Sequence, residues 1–257
     1  MPDLSKSNPA VSPLRPDADR QRFPDTQTVP GRFFFNLEVG YCPVYHMVQL
    51  TELVDPKRLF HADYAYLSSI SLRMAEHFRR FADWTREKYV SADDPLVVEV
   101  GSNGGILLKN FAAAGVPHVG IEPSENVTAA ARQIGVDTLC RFFDEETARQ
   151  IREQYGPADV VLGANVICHV PDLHTISRAV KCLLKEGGVF IFEEPYLGDI
   201  LAQTSYDEHV FYFSLHALGR RAEKIAEGQP GGHNAVGTGT AGRPRQNGNV
   251  HGVQPAD

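Results

Sequence analysis

Between Pro95 and about Glu194, short β-branched apolar runs, "LVVEVG", "HVGIEP", "VDTLC", "DVVLGANV" and "GVFIFEEP", alternate with amphipathic stretches of helical period. Strands covered on both faces read as unbroken apolar runs, so this alternation predicts βαβ units and a parallel sheet. Upstream, the alternation from Phe33 to Val39 and the run Met47 to Leu50 predict a small hairpin. A stripe of Leu72, Phe78, Phe81 and Trp84 predicts a helix from about Ser69 to Tyr89. Neither rhythm is present at the two ends. The start is rich in Pro, Asp, Ser and Arg and the stretch after Leu218 in Gly, Pro, Asn and Gln, with too few large apolar residues to fold alone.

The pattern predicts an α/β chain organised as a leader without structure at 1–30, a β-rich and helical N-terminal lobe at 31–93, a doubly wound, Rossmann-like, mostly parallel sheet domain at 94–218, and a tail without structure at 219–257. Ser124 and Asp172 stand where helix N-caps are expected, and "KEGGVF" supplies a glycine to close a helix before the next strand.

One turn carries candidate chemistry. In "VVEVGSNGGILLKNF" an apolar strand runs into Gly101, Asn103, Gly104 and Gly105 and then a helix. Glycines let backbone N–H groups approach a ligand, and the helix start adds its positive dipole end. Glu99 precedes the turn by two residues, and Glu122 follows Gly101 by 21, at the end of the second strand, placed to accept from two ribose hydroxyls. A nicotinamide oxidoreductase would use a similar turn, but the spacing G-S-N-G-G is not G-x-G-x-x-G.

Charge and length narrow the partners. A formal charge of -7 argues against nucleic acid, and an acidic surface is also the ordinary route to solubility. No apolar run approaches the roughly 18 residues of a membrane span, and "MPDLSKSNPAVSPLRPDADR" contains no signal-peptide core, so a cytoplasmic protein is expected. The four scattered cysteines, Cys42, Cys140, Cys168 and Cys182, do not suggest a disulfide framework.

The Gly101 turn with Glu99 and Glu122, followed by "DVVLGANVICHVPDL", resembles the class I S-adenosylmethionine-dependent methyltransferases. That resemblance implies S-adenosyl-L-methionine as cofactor, held by Glu99, Gly101, Asn103, Gly104 and Glu122, with Asn165 and His169 facing it. From its spacing alone, His169 is equally well a capped histidine near a helix start. A narrower likeness covers roughly Arg22 to Leu218 through "GYCPVYHMVQLTELVDPKRLFHADYAYLSS", "EVGSNGGILL", "GANVICHVPD" and "EEPYLGDILAQTSYDEHVFYFS". These stretches are similar to the sugar C-methyltransferases that act on nucleotide-linked 4-keto-6-deoxyhexoses in the making of branched antibiotic sugars.

By that likeness the base is His209, with Tyr206 and Glu208 beside it, while Tyr64 and Ser68 reach the cofactor and Tyr66, Tyr196 and Asp199 the sugar nucleotide. A carbon next to a ketone needs a base for its proton and donors for the enolate oxygen. Neutral imidazole suits the first task near pH 7. Read without the family, Tyr206 to Phe213 is an amphipathic strand, and "DYAYLSS" an apolar loop before a helix.

The chain also departs from the family. Where relatives carry two Cys-x-x-Cys pairs, Cys42 is followed three residues later by Tyr45, and with His46 it makes at most two ligands where zinc takes four, so no metal is expected. The approach to Tyr206 is shorter than the family spacing by about four residues, or roughly a dozen Å of extended chain. A C-terminal domain that helps hold the sugar in relatives is expected to be missing. These departures keep open a second reading, a remnant that binds S-adenosylmethionine without turnover.

Overall fold

The computed structural model describes residues 12–13, 38–43, 46–62, 64, 72–90, 93–197, 210–214, 217 and 234–240. The chain starts with strand β1 (Ser12–Pro13); strands β2 (Val39–Cys42) and β3 (Met47–Leu50) follow, then a one-turn helix α1 (Pro56–Leu59) and the long helix α2 (Leu72–Tyr89). The sheet domain runs β4 (Val97–Val100), α3 (Leu108–Ala113), β5 (His118–Ile121), α4 (Glu125–Gln133), β6 (Thr138–Leu139), α5 (Glu145–Tyr155), β7 (Ala158–Ala164), a 3-10 turn (Ile167–His169), α6 (Leu173–Leu183) and β8 (Leu184–Pro195). Two later strands, β9 (Phe211–Tyr212) and β10 (Asn234–Thr240), return to the two sheets.

The large sheet has the order β10-β8-β7-β4-β5-β6, with every pair parallel. The chain starts this sheet in its middle at β4, winds outward through β5 and β6, and then crosses back to β7 and β8. This is the doubly wound order expected, and its switch point falls between β4 and β7, where such sheets open a crevice at their C-terminal ends.

Alternate side chains explain the layers. Val97, Val160, Leu162, Val189 and Ile191 pack with Phe78 and Phe81 of α2 and Phe111 of α3 on one face. Val98, Val161, Phe190 and Phe192 pack with Ile151 of α5 and Ile176, Ala179 and Leu183 of α6 on the other. Both faces being covered, β4 is buried at every position. Asp144 and Asp172 cap α5 and α6, accepting from Thr147 N–H at 2.8 Å and His174 N–H at 2.9 Å. The Arg152 guanidinium closes the far end of α6 by donating to the carbonyls of Cys182 and Leu184 at 3.0 Å.

The structure shifts several expected features. The hairpin pairs Val39–Cys42 with Met47–Leu50, later than the alternation from Phe33 suggests, and residues 31–37 lie outside the described ones. Helix α2 begins at Leu72, which is 89% exposed and so not part of the buried stripe; Phe78, Phe81, Ala82 and Thr85 are buried and Trp84 packs partly buried against the same cluster. Whether a first-turn residue is covered depends on which other segments reach it, and helical phase does not record that. Ser124 sits at the N-cap of α4 without making a side-chain cap bond; its own N–H donates to Glu122 at 3.0 Å. α6 ends at Leu183, before the glycines; Gly187 lies inside β8 at φ 75°, next to a register shift between Ala158 and Val160.

In the leader and tail, where no structure was expected, Ser12–Pro13 pairs with β2 and Asn234–Thr240 adds a strand beside β8. A sheet edge presents unpaired N–H and C=O groups, so backbone pairing there does not require an apolar sequence. Among the described residues no helix is long and apolar enough to cross a membrane.

Candidate active site

The turn after β4 is folded by its neighbours. Gly101 and Ser102 donate their N–H groups to Ile121 O at 2.8 and 3.1 Å, which ties the turn to the end of β5. Gly101 has φ +65°, and a Cβ there would stand 2.4 Å from Val166 Cγ2, so only glycine lets this turn lie against the one that follows β7. Asn103 also has a positive φ, 47°, and its side chain accepts from Gly104 N–H at 2.8 Å, stabilising the bend.

Two glutamates underlie this turn. Glu122 is buried and accepts from Asn103 N–H at 3.1 Å with one oxygen and from Ser124 N–H at 3.0 Å with the other. Each oxygen keeps a second lone pair for a ligand hydroxyl. Glu99 is buried inside β4, accepts from the backbone of Leu108 at the start of α3, and leaves its Oε2 without a hydrogen-bond partner. Burial, and then the like charge of Glu122, push the Glu99 carboxyl well above the usual range; burial raises Glu122 too. Ser102 Oγ is likewise buried and unpartnered.

Two more glutamates, which sequence reasoning missed, end β8. Glu193 faces α2, where its carboxylate bonds to His77 Nε2 at 2.8 Å, and that bond raises the His77 pKa. Glu194 faces the opposite side and holds the turn after β7. Their signal in the sequence is "FIFEE", two adjacent acids closing a run whose other members are apolar core residues.

Of the other predicted residues, Asn165 stands at the end of β7 with φ 54° and gives its N–H to Glu193 O at 2.7 Å. His169 ends the 3-10 turn, and the Phe60 ring meets its ring edge-on at 5.5 Å. Tyr64 lies next to Phe60, ring centroids 5.3 Å apart, and its carbonyl accepts from Asn126 Nδ2 of α4 at 2.8 Å. The segment 60–64 of the lobe therefore touches elements on both sides of the β4 turn, the start of α4 and the turn after β7. Tyr196 forms a bridge to Phe213, and Leu197 N–H donates to Phe213 O at 2.8 Å.

Tyr66, Ser68, Asp199, Tyr206, Glu208 and His209 lie outside the described residues. Immediately after them, Val210 N–H donates to Cys168 O at 2.8 Å, and Leu50 N–H to Val210 O at 2.9 Å. Cys42 faces the core and the His46 ring bonds to the Tyr41 hydroxyl at 2.7 Å.

Residues 66–225, more than half of the chain, match the family model described as a methyltransferase domain. The chain belongs to that methyltransferase family. Among curated relatives it is 34% identical over 198 residues to the C-methyltransferase NovU of Streptomyces niveus, a match covering 76% of this chain and 47% of that protein. It is 31% identical over 112 residues to a ubiquinone biosynthesis O-methyltransferase of Bordetella avium, covering 43% of this chain and 46% of the relative. The chain thus spans about half the length of the curated relatives it matches. A solved SAM-dependent methyltransferase from Archaeoglobus fulgidus aligns with TM-score 0.48 and 13% identity, over 60% of this chain and 67% of that one.

Proposed function

We propose that this methyltransferase moves the methyl group of S-adenosylmethionine to the carbon beside the ketone of a nucleotide-linked 4-keto-6-deoxyhexose. The observation that carries the cofactor assignment is the charge of the crevice. Glu99, Glu122, Glu193 and Glu194 close its strands, and among the described residues no lysine or arginine is buried with them. Such a rim disfavours the pyrophosphate of a dinucleotide and suits a ligand carrying a sulfonium and an ammonium.

The residues fit that ligand. Glu122 has lone pairs left for the ribose hydroxyls, Glu99 Oε2 and Ser102 Oγ are buried acceptors awaiting a donor, and the Gly101 turn leaves its backbone open to close approach. When bound, S-adenosylmethionine supplies an electrophilic methyl group. The chain's own work is to hold the sugar carbon in line with it and to remove a proton. In this reading His209 takes the α-proton, and the electron pair of the broken carbon–hydrogen bond passes into the enolate, whose carbon would accept the methyl as the sulfur–methyl bond breaks and its electron pair stays on sulfur. Glu208 fixes the imidazole tautomer, and Tyr206 lies beside the enolate oxygen. Tyr64, Ser68, Asn165 and His169 face the cofactor, and Tyr66, Tyr196 and Asp199 the sugar nucleotide.

Carbon rather than oxygen as acceptor is supported by the reach of the likeness. The match to the O-methyltransferase is shorter than the 94–218 domain, whereas the match to the C-methyltransferase is longer than it and extends into the flanking segments. Incubating the purified chain with S-adenosylmethionine and a dTDP-4-keto-6-deoxyhexose should give a sugar nucleotide heavier by one methylene. His209→Ala should abolish that product while leaving cofactor binding intact. Binding of S-adenosylhomocysteine without transfer to any 4-keto sugar nucleotide would identify the chain as the non-catalytic remnant.

A further inference from the structure

Glu194 is wholly buried, and its hydrogen bonds converge on one element. Oε1 accepts from Val166 N–H at 3.0 Å and Ile167 N–H at 2.6 Å, and Oε2 accepts from Cys168 N–H at 3.3 Å. The start of a helical turn leaves such N–H groups without acceptors, and the residue at the cap normally supplies one. Here Val166 occupies the cap and cannot, so the acceptor comes from the neighbouring strand, 28 residues later.

The turn held in this way is connected further. Cys168 O accepts from Val210 N–H, and Val210 O from Leu50 N–H of β3, so a continuous path runs from the Glu194 carboxylate through the turn to Val210 and on to β3. His169, at the end of the same turn, packs against Phe60 of that lobe. Among the described residues, the Glu194 carboxylate is the side chain that accepts from the N–H groups of Val166, Ile167 and Cys168.

We propose that Glu194 is a positioning residue: by holding the 166–168 turn against the end of β8, it sets where His169 stands and where Val210, the residue that follows His209 in the chain, is held. The consequence for turnover rests on the proposed methyl transfer; the clamp does not. A carboxylate is the right group because its two oxygens accept from all three N–H donors and from the Cys168 side chain as well, more than a hydroxyl or an amide at the cap can take. It is also a costly group to bury without a cation, and burial pushes its pKa up to about 7. A residue serving stability alone is served as well by a neutral cap.

The test uses the full chain as wild type, Glu194→Gln and Glu194→Ala, read by backbone amide exchange. Glutamine keeps one acceptor oxygen and replaces the other by a donor. E194Q should therefore retain protection at Val166 and Ile167 and raise exchange about tenfold at Cys168 and Val210, with Val98, Val161 and Ile191 unchanged. E194A should lose protection at all four turn and strand amides; if it fails to fold, E194Q decides. In the transfer assay E194Q should lower kcat about tenfold with the Kd for S-adenosylhomocysteine within about threefold of wild type. Unchanged exchange at Cys168 and Val210, a uniform rise across the β4 and β7 amides, or a wild-type kcat would each overturn the proposal. A wild-type chain that binds no S-adenosylhomocysteine overturns the proposed function instead, and the amide readout still decides the clamp.

Discussion

The two ends of the central sheet treat buried carboxylates differently. At the N-terminal end of β7, Asp159 is 1% exposed, bonds to the Lys185 ammonium and accepts from Leu96 N–H at 2.9 Å. At the C-terminal end, Glu99, Glu122 and Glu194 meet backbone N–H groups and Glu193 meets a histidine. Removing a carboxylate from water costs several kcal/mol unless an opposite charge is brought with it. The first end has brought its cation and is closed. The second has left carboxylates without a cation and three unpartnered oxygens among the described residues, Glu99 Oε2, Ser102 Oγ and Ser124 Oγ, at the place where an open α/β sheet receives its ligand. Burial of acid by itself therefore does not mark function; the partner that completes it does.

Breaking the open end should be felt in affinity. Glu122→Ala removes two charge-assisted acceptors from the ligand's reach, a loss on the order of 3 kcal/mol, and should raise the Kd for S-adenosylhomocysteine about a hundredfold by calorimetry. An unchanged Kd would remove Glu122 from the binding site. Breaking the closed end should be felt in stability instead. Asp159→Asn leaves Lys185 without its carboxylate and should cost about 2 kcal/mol, a fall of roughly 4–8 °C in Tm, with the Kd within about twofold of wild type. A weaker ligand affinity there would erase the distinction between the ends.

A smaller effect concerns pH. Burial raises Glu99, Glu122 and Glu194, the last to about 7, and the Glu193 bond raises His77. A group whose folded pKa is raised contributes stability that is full below its unfolded pKa, about 4.3 for glutamate and 6.5 for histidine, and lost as pH rises through the folded value. The Tm of the free chain should fall by roughly a few degrees from pH 5 to 8 in scanning calorimetry. Saturating S-adenosylmethionine should flatten that slope, since a cation beside Glu99 and Glu122 favours their ionised forms. A Tm that rises over this range would contradict the assignment of an open, acid-rich end.

Much of this was legible before folding. The five apolar runs became β4 to β8, and the doubly wound order follows from their alternation with helices. Gly101, Asn103 and Glu122 could be singled out in the sequence because a tight turn leaves a local trace, glycines at fixed offsets and an acid one βα unit later. Glu193 and Glu194 were passed over because adjacency in a strand sends their side chains to opposite faces, and which face meets α2 or the β7 turn is not written locally. Leu72 was read as buried because period alone cannot say where a helix outruns its partner.

The sequence by itself determined the strands, the order of the helices between them and the glycine turn, since each rests on interactions within a few residues along the chain. Only the tertiary structure decided that Glu194 caps a turn 28 residues upstream, that Val166 requires glycine at position 101, and that Phe60 of the lobe rests on His169. Those contacts join segments far apart in the chain, brought together by burial of the sheet's two faces, and no local pattern records which neighbours burial selects.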